Sequence, residues 1–407
     1  MAMPRNRAFL SRPPPFATHH GLRLNPESVS GSLPFFNPTH ARYNVKSSEV
    51  PSTAPGEEPS TTDSASKQET YIPDTEVQWR SRDNRKGRHV LAVADKRKLA
   101  DHTSTTKALF NGLYRMATEY PYWDVSYLVA VFFTVGCLIF IASGLFYWLP
   151  LVAPSTEFKD ETRIAGGVTA FIGATLFQIG AVFLVFEACN EDKSGCFGWA
   201  LHQAFHHDES QAGGDNASSC QAKPHPESCQ HPHRRGQTKR TLKDSSSERS
   251  WTWWPSWHEL TTHYIHETGW VASTSLAIGA TIFYISGICA LPGIFENMSL
   301  GVARGVYWLA YLVGGVIFVF SSVLYVLETQ PNWYTPAPHV LGWHIGVWNL
   351  IGSVGWTLSA SFGYCTASWC EYQGELSLLW ASVAFAIGSG LLWFEALDKY
   401  PVEKMRK

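Results

Sequence analysis

Apolar residues do not recur by period along this chain; they gather into six runs, at about 125–148, 164–188, 268–291, 304–327, 341–364 and 376–397. A run of about 20 apolar residues matches the hydrocarbon thickness of a bilayer. No Lys or Arg lies in the interior of any run. A soluble core helix rarely sustains such a stretch, so the pattern predicts an all-α membrane protein with six transmembrane helices. Outside the runs the character reverses. Residues 1–105 are rich in Pro, Ser, Thr and charge, which holds the mean hydropathy to −0.10 despite the apolar half.

The runs also repeat. Each odd-numbered run opens on a small residue and an aromatic: Ser126-Tyr127, Gly269-Trp270 and Gly342-Trp343. At fixed offsets follow Gly136, Gly279 and Gly352, then Phe140, Phe283 and Trp356, then Ser143, Ser286 and Ser359. Each even-numbered run carries a seven-residue series: Gly173, Gly180, Glu187; Gly314, Ser321, Glu328; Ala381, Gly388, Glu395. Seven residues is almost two helical turns, so each series lines one face, and small residues there let helices approach closely. The expected architecture is three tandem helical hairpins, at 125–189, 268–328 and 341–397, in one orientation.

Three apolar helices thus end on a carboxylate, where it opposes the macrodipole. In the structural reading each Glu accepts hydrogen bonds from a nearby Trp, Tyr, Ser or backbone N–H and locks its hairpin. In the functional reading Glu187, Glu328 and Glu395 form a ring at one mouth of the bundle that binds or passes a cation. Unbroken helices with Pro only at their ends favour the structural reading.

Charge sets the orientation. Of the 32 Lys and Arg, 29 fall in the N-terminal segment, the 190–267 loop and the C-tail, against Lys159, Arg163 and Arg304 on the other side. Both termini are therefore expected in the cytoplasm. Arg5, Arg7, Arg12 and Arg23 resemble a mitochondrial presequence in composition, but without amphipathic spacing. The plasma membrane or an endomembrane is favoured, with a disordered tail over 1–105. Asn297 heads a glycosylation sequon on the outer side. Cys365 and Cys370 share an outer loop, where a disulfide is one reading and two thiols the other.

The inner segments suggest weaker chemistry. His202 and His206, with Cys220, His225, Cys229, His231 and His233, offer soft ligands for zinc or copper. Their spacing fits no standard finger, so 190–250 is expected to be a disordered loop without cofactor. An interfacial helix is expected within 106–124 and an aromatic one within 251–267, the latter opened by a Ser256/Glu259 capping box. The basic stretches at 80–89 and 95–98 read as lipid-attracting or as solvated linker, and 398–407 as a basic C-tail.

The hairpin motifs, with WWPSW at 253–257 and LPGI at 291–294, resemble a group of fungal integral membrane proteins. The two-helix unit is similar to the YrhK-like membrane module. That resemblance implies a multi-pass architecture over 120–400 and carries no catalytic residues with it. No phosphate loop, nucleophile triad or zinc-protease motif is present. The expected function is non-enzymatic, structural or directed at lipid and protein partners and not at nucleic acid. A cation transporter using the glutamates is the alternative, and a metal sensor the weaker one.

Overall fold

The computed structural model describes residues 22–46, 71–93, 106–206 and 251–404. Long helices dominate it: α3 (Val125–Val152), α4 (Gly167–Cys189), α7 (Thr268–Cys289), α8 (Leu309–Glu328), α9 (Leu341–Phe362) and α10 (Ser368–Leu397). Short elements frame them: α1 (Ser81–Arg85), α2 (Thr106–Thr118), α5 (Phe197–His206) and α6 (Trp257–Thr262). A π-helical turn leads into α4 at Glu161–Gly166 and into α8 at Ala303–Trp308. Five helical stretches are long and apolar enough to cross a membrane: Val125–Val152, Glu161–Cys189, Thr268–Cys289, Leu300–Glu328 and Ser368–Leu397. α9 falls short of that standard because glycines, serines, His344 and Asn349 dilute its apolar residues.

Each long helix packs on the next, and α10 returns to α3, so the six close a ring. Outward faces carry Leu138, Ile278, Val316, Phe320 and Val383 in the open, an apolar exterior suited to lipid. The recurring positions turn inward. Phe140, Phe283 and Trp356 meet one another with ring centroids 5.0–5.9 Å apart. One layer along, Phe177, Phe318 and Phe385 meet at 5.4–6.5 Å. Close approach explains the small residues: a Cβ on Gly136 would press on the α4 backbone at Gly173 and Phe177, and one on Gly279 or Gly352 on the ring of Phe318 or Phe385. Gly173 and Gly314 likewise seat Phe140 and Phe283, Gly180 seats Phe133, and Gly388 seats Asn349. Ser143 and Ser321 donate across helices to the carbonyls of Gly166 and Ala272. Ser286 bonds within its own helix, and Ser359 and Ala381 are buried.

The expected all-α chain and its disordered 1–105 tail need correction. β1 (Leu22–Ser30), β2 (His40–Lys46), β3 (Tyr71–Arg80) and β4 (Val90–Val93) form an antiparallel sheet, to which β5 (Val402–Lys404) adds in parallel. Alternation was legible in HARYNVK, where Ala41 and Tyr43 face a small core with Trp79. The 398–407 tail is thus partly a strand that completes the sheet from the far end of the chain. The loop expected over 190–250 is ordered at its start, through Ser194–Cys196 and α5. The interfacial helix expected within 106–124 ends at Thr118; Leu109, Phe110, Leu113 and Tyr114 project from it. Ser256 and Glu259 form the capping box anticipated for α6, flanked by exposed Trp254 and Trp257.

Candidate functional site

The loop between β3 and β4 enters the mouth of the helical ring. α1 and the residues after it, RDNRKGR at 82–88, carry four cations: Arg82, Arg85, Lys86 and Arg88. Gly87, at φ +60°, takes the left-handed conformation that returns the chain to β4. The three helix-terminal glutamates converge on this loop and are at most 1% exposed.

Arg82 grips Glu395 with both prongs, Nε to Oε1 at 3.2 Å and Nη2 to Oε2 at 2.8 Å. Arg85 grips Glu328 likewise at 2.6 and 3.1 Å, while its Nε reaches Glu187 at 3.4 Å. Lys86 Nζ bridges Glu187 at 3.4 Å and Glu395 at 3.8 Å. Arg88 pairs with Asp83 and lies 3.5 Å from Glu395. Ser81 donates to Glu328 at 2.7 Å. Four cations therefore meet four carboxylates, Asp83 included, and formal charge cancels within the cluster. Bidentate guanidinium–carboxylate pairs are among the strongest charged hydrogen bonds, and these cations also face the negative ends of three helix dipoles.

Burial would depress the guanidiniums of Arg82, Arg85 and Arg88, but the adjoining carboxylates more than reverse this and hold all three above their ordinary range. Lys86 differs. Burial dominates there and pulls its ammonium down, against the opposing pull of Glu187 and Glu395. Arginine thus supplies the firm charges and lysine the softest one.

The structural reading named serine among the donors, and Ser81 on Glu328 fits it, but neither reading anticipated the cations. Among the described residues no Trp, Tyr or backbone N–H donates to the glutamates; the cationic loop does. The carboxylates are engaged, and the aromatic layers fill the axis beyond them. Between loop and rings lies a cavity of about 40 Å³ bordered by Arg82, Lys86, Glu187, Asn349 and Phe385, enough for a few waters. The basic stretch at 80–89 is accordingly neither solvated linker nor lipid-facing. The three glutamates lie 101 to 313 positions along the chain from the cations that meet them, beyond the reach of local pattern.

The small residues that open the odd-numbered runs make room for this loop. A Cβ on Gly269 would stand 1.6 Å from Arg85 Nη1, and one on Gly342 would stand 2.6 Å from Arg82 Cδ. Ser126, the third, is fully buried.

The remaining candidates lie elsewhere. Cys365 and Cys370 form a disulfide. Asn297 sits exposed in a short turn, its amide donating to Gly293. His202 is exposed on α5. Nothing is described of the His206 side chain, and Cys220, His225, Cys229, His231 and His233 fall outside the described residues. A different trio could hold a metal ion: Glu191, His263 and Glu267 bring their ligand atoms within 4.8 Å of one another. Hydrogen bonds already occupy two of them, since Asn84 donates to Glu191 and Asn37 to Glu267. No protein-family model matches this chain, and no curated protein or solved structure does either.

Proposed function

We propose that this chain is a non-enzymatic, multi-pass membrane protein of six spans, arranged as three helical hairpins, that fixes a small β-sheet module on one face of its bundle. The observation that carries this reading is the pairing of every helix-terminal glutamate with a cation of the β3–β4 loop. Such a cluster holds two parts of a protein in one register, because removing either partner leaves a buried charge. The module, with β1 at the end of its sheet, is then the surface offered to partners.

Counting α9 as a span rests on its place in the ring and on Ile351, Val354 and Leu358, which present an apolar outer face. The cytoplasm is assigned to the sheet face by the distribution of Lys and Arg. The Cys365–Cys370 disulfide at the opposite end suits an oxidising compartment. The plasma membrane or an endomembrane fits both. Exposed Phe110, Tyr114, Trp254, Trp257, Trp333 and Tyr334 form an aromatic fringe for the headgroup region on the sheet side.

Cation transport is the second reading, favoured by the cavity behind the loop. Reconstituted vesicles separate the two. Under the fixing role, an Arg82→Gln, Arg85→Gln, Lys86→Gln variant exposes 80–90 to protease and passes no sodium, potassium or calcium. Glutamate-dependent flux in that variant would replace this reading with a gated transporter.

A further inference from the structure

The opposite end of the axis is built quite differently. Where the ring opens away from the sheet, the ends of all six helices surround a vestibule of about 460 Å³. Its wall includes Tyr147, Tyr307, Trp308, Arg163, Glu371 and Glu375. The aromatic part is tightly organised. Tyr307 stands edge-on to Trp308 at 4.7 Å, and Trp308 lies flat over Tyr311 at 6.3 Å. Gly363 lies against the Trp308 indole, whose nearest atom would be 2.2 Å from any added Cβ, and Gly166 lies against the Tyr147 ring at 2.9 Å. These rings therefore hold their places without a ligand.

Charge in the vestibule is unbalanced. Three carboxylates line it, Glu296, Glu371 and Glu375, against a single cation, Arg163. Arg163 is taken up by Glu296 at 3.1 Å and Asp160 at 3.5 Å. Among the described residues no donor or cation meets the side chains of Glu371 or Glu375, which lie one turn apart on α10 and repel each other. The phenols of Tyr147 and Tyr307 are likewise unengaged. Behind them the Tyr311 hydroxyl, in a residue 5% exposed, lies beside Ser359 of the wall. The site thus offers acceptors and aromatic rings, and its one lining cation, Arg163, is already paired with Glu296 and Asp160.

We propose that the vestibule binds an alkylated ammonium group, seated against the rings of Tyr147, Tyr307 and Trp308 with Glu375 as its counter-charge and Glu371 at the rim. Aromatic faces attract such cations through their quadrupole. A bare metal ion would need a shell of six or more oxygens, whereas the alkyl groups of an ammonium rest against the rings of Tyr147, Phe295, Tyr307, Trp308 and Phe362. The ammonium could arrive free in solution or as the headgroup of a zwitterionic lipid, since the site opens at the end of the membrane helices.

The test uses the detergent-purified full chain and thermal unfolding in tetramethylammonium chloride, against sodium chloride of equal ionic strength. The expected result is a saturable rise in Tm for wild type. Its half-saturation moves about tenfold or more to higher concentration in Glu375→Gln and in Trp308→Leu, and is unchanged in Trp333→Ala at the other end. Should Glu375→Gln fold poorly, Glu371→Gln at the exposed rim is expected to weaken the response in the same direction. Identical traces in the two salts, or a rise that survives all these vestibule substitutions, overturns the proposal. So does a Glu375-dependent response to calcium without one to tetramethylammonium. Weaker apparent binding in phosphatidylcholine nanodiscs than in phosphatidylglycerol nanodiscs identifies the lipid headgroup as occupant; equal binding identifies a free ammonium.

Discussion

A trio of glutamates stands near each end of the bundle axis, and the two trios meet opposite fates. At the sheet end Glu187, Glu328 and Glu395 are fully buried and gripped by Arg82, Arg85 and Lys86. At the other end Glu296, Glu371 and Glu375 border an open vestibule with only Arg163 among them. The difference lies in what supplies the compensation. Burial obliges the first set to bring its cations within the same chain, whereas the second, partly in solvent, leaves room for a cation from outside. Six aromatic rings separate the ends, so neither set neutralises the other.

The sharpest way to break this comparison is at Arg85. Arg85→Met strands Glu328 and loosens Glu187, and is expected to cost about 3–5 kcal/mol, read as lowered Tm and as protease cutting within 80–90. The exchange Arg85→Glu with Glu328→Arg should recover part of that loss; no recovery would mean that packing, and not charge, holds the loop. Next comes Gly269→Ala, whose methyl would occupy the space of the Arg85 guanidinium. It should cost about 1–3 kcal/mol by overpacking, in the same assays, with the vestibule untouched.

Acid offers a graded version. His40, at the sheet–bundle junction, is held down to about 3 by burial, with Arg80 adding to the effect. The unfolded chain takes up its proton near pH 6.5, while the folded state refuses it until about 3. Its contribution is therefore intact above pH 6.5 and is lost as pH falls from there toward 3. At pH 5 the loss amounts to at most about 2 kcal/mol. Protease protection of the sheet should decline over that window in wild type and more weakly in His40→Gln. The smallest effect belongs to the vestibule: Glu371→Gln relieves repulsion with Glu375 and should stabilise by about 0.2–0.5 kcal/mol. A clear loss of Tm there would show that Glu371 already has a partner.

Much of the membrane part was legible because its signals are local. A long apolar run predicts a helix wherever it occurs, and the spacing Gly173, Gly180, Glu187 shows which face turns inward. Phe140, Phe283 and Trp356 stood at equal offsets before they met as a layer. The start of α10 was less clear: Ser368–Gly374 is polar, so the apolar run begins late, and Glu371 and Glu375 were not counted with the helix. The sheet was obscured by composition. Its strands are short, separated by Pro- and Ser-rich stretches, and its last strand lies at the opposite end of the chain.

Local pattern along the chain is enough to specify a helical membrane body, the helix faces that pack inward, and three carboxylates at one end. What those carboxylates meet follows from the folded arrangement alone. Charge attraction depends on distance in space, and the loop that answers Glu187, Glu328 and Glu395 is brought to them by β3 and β4 from far along the chain. The vestibule was also decided there, because a pocket walled by six helix ends has no counterpart in the order of residues along any one of them.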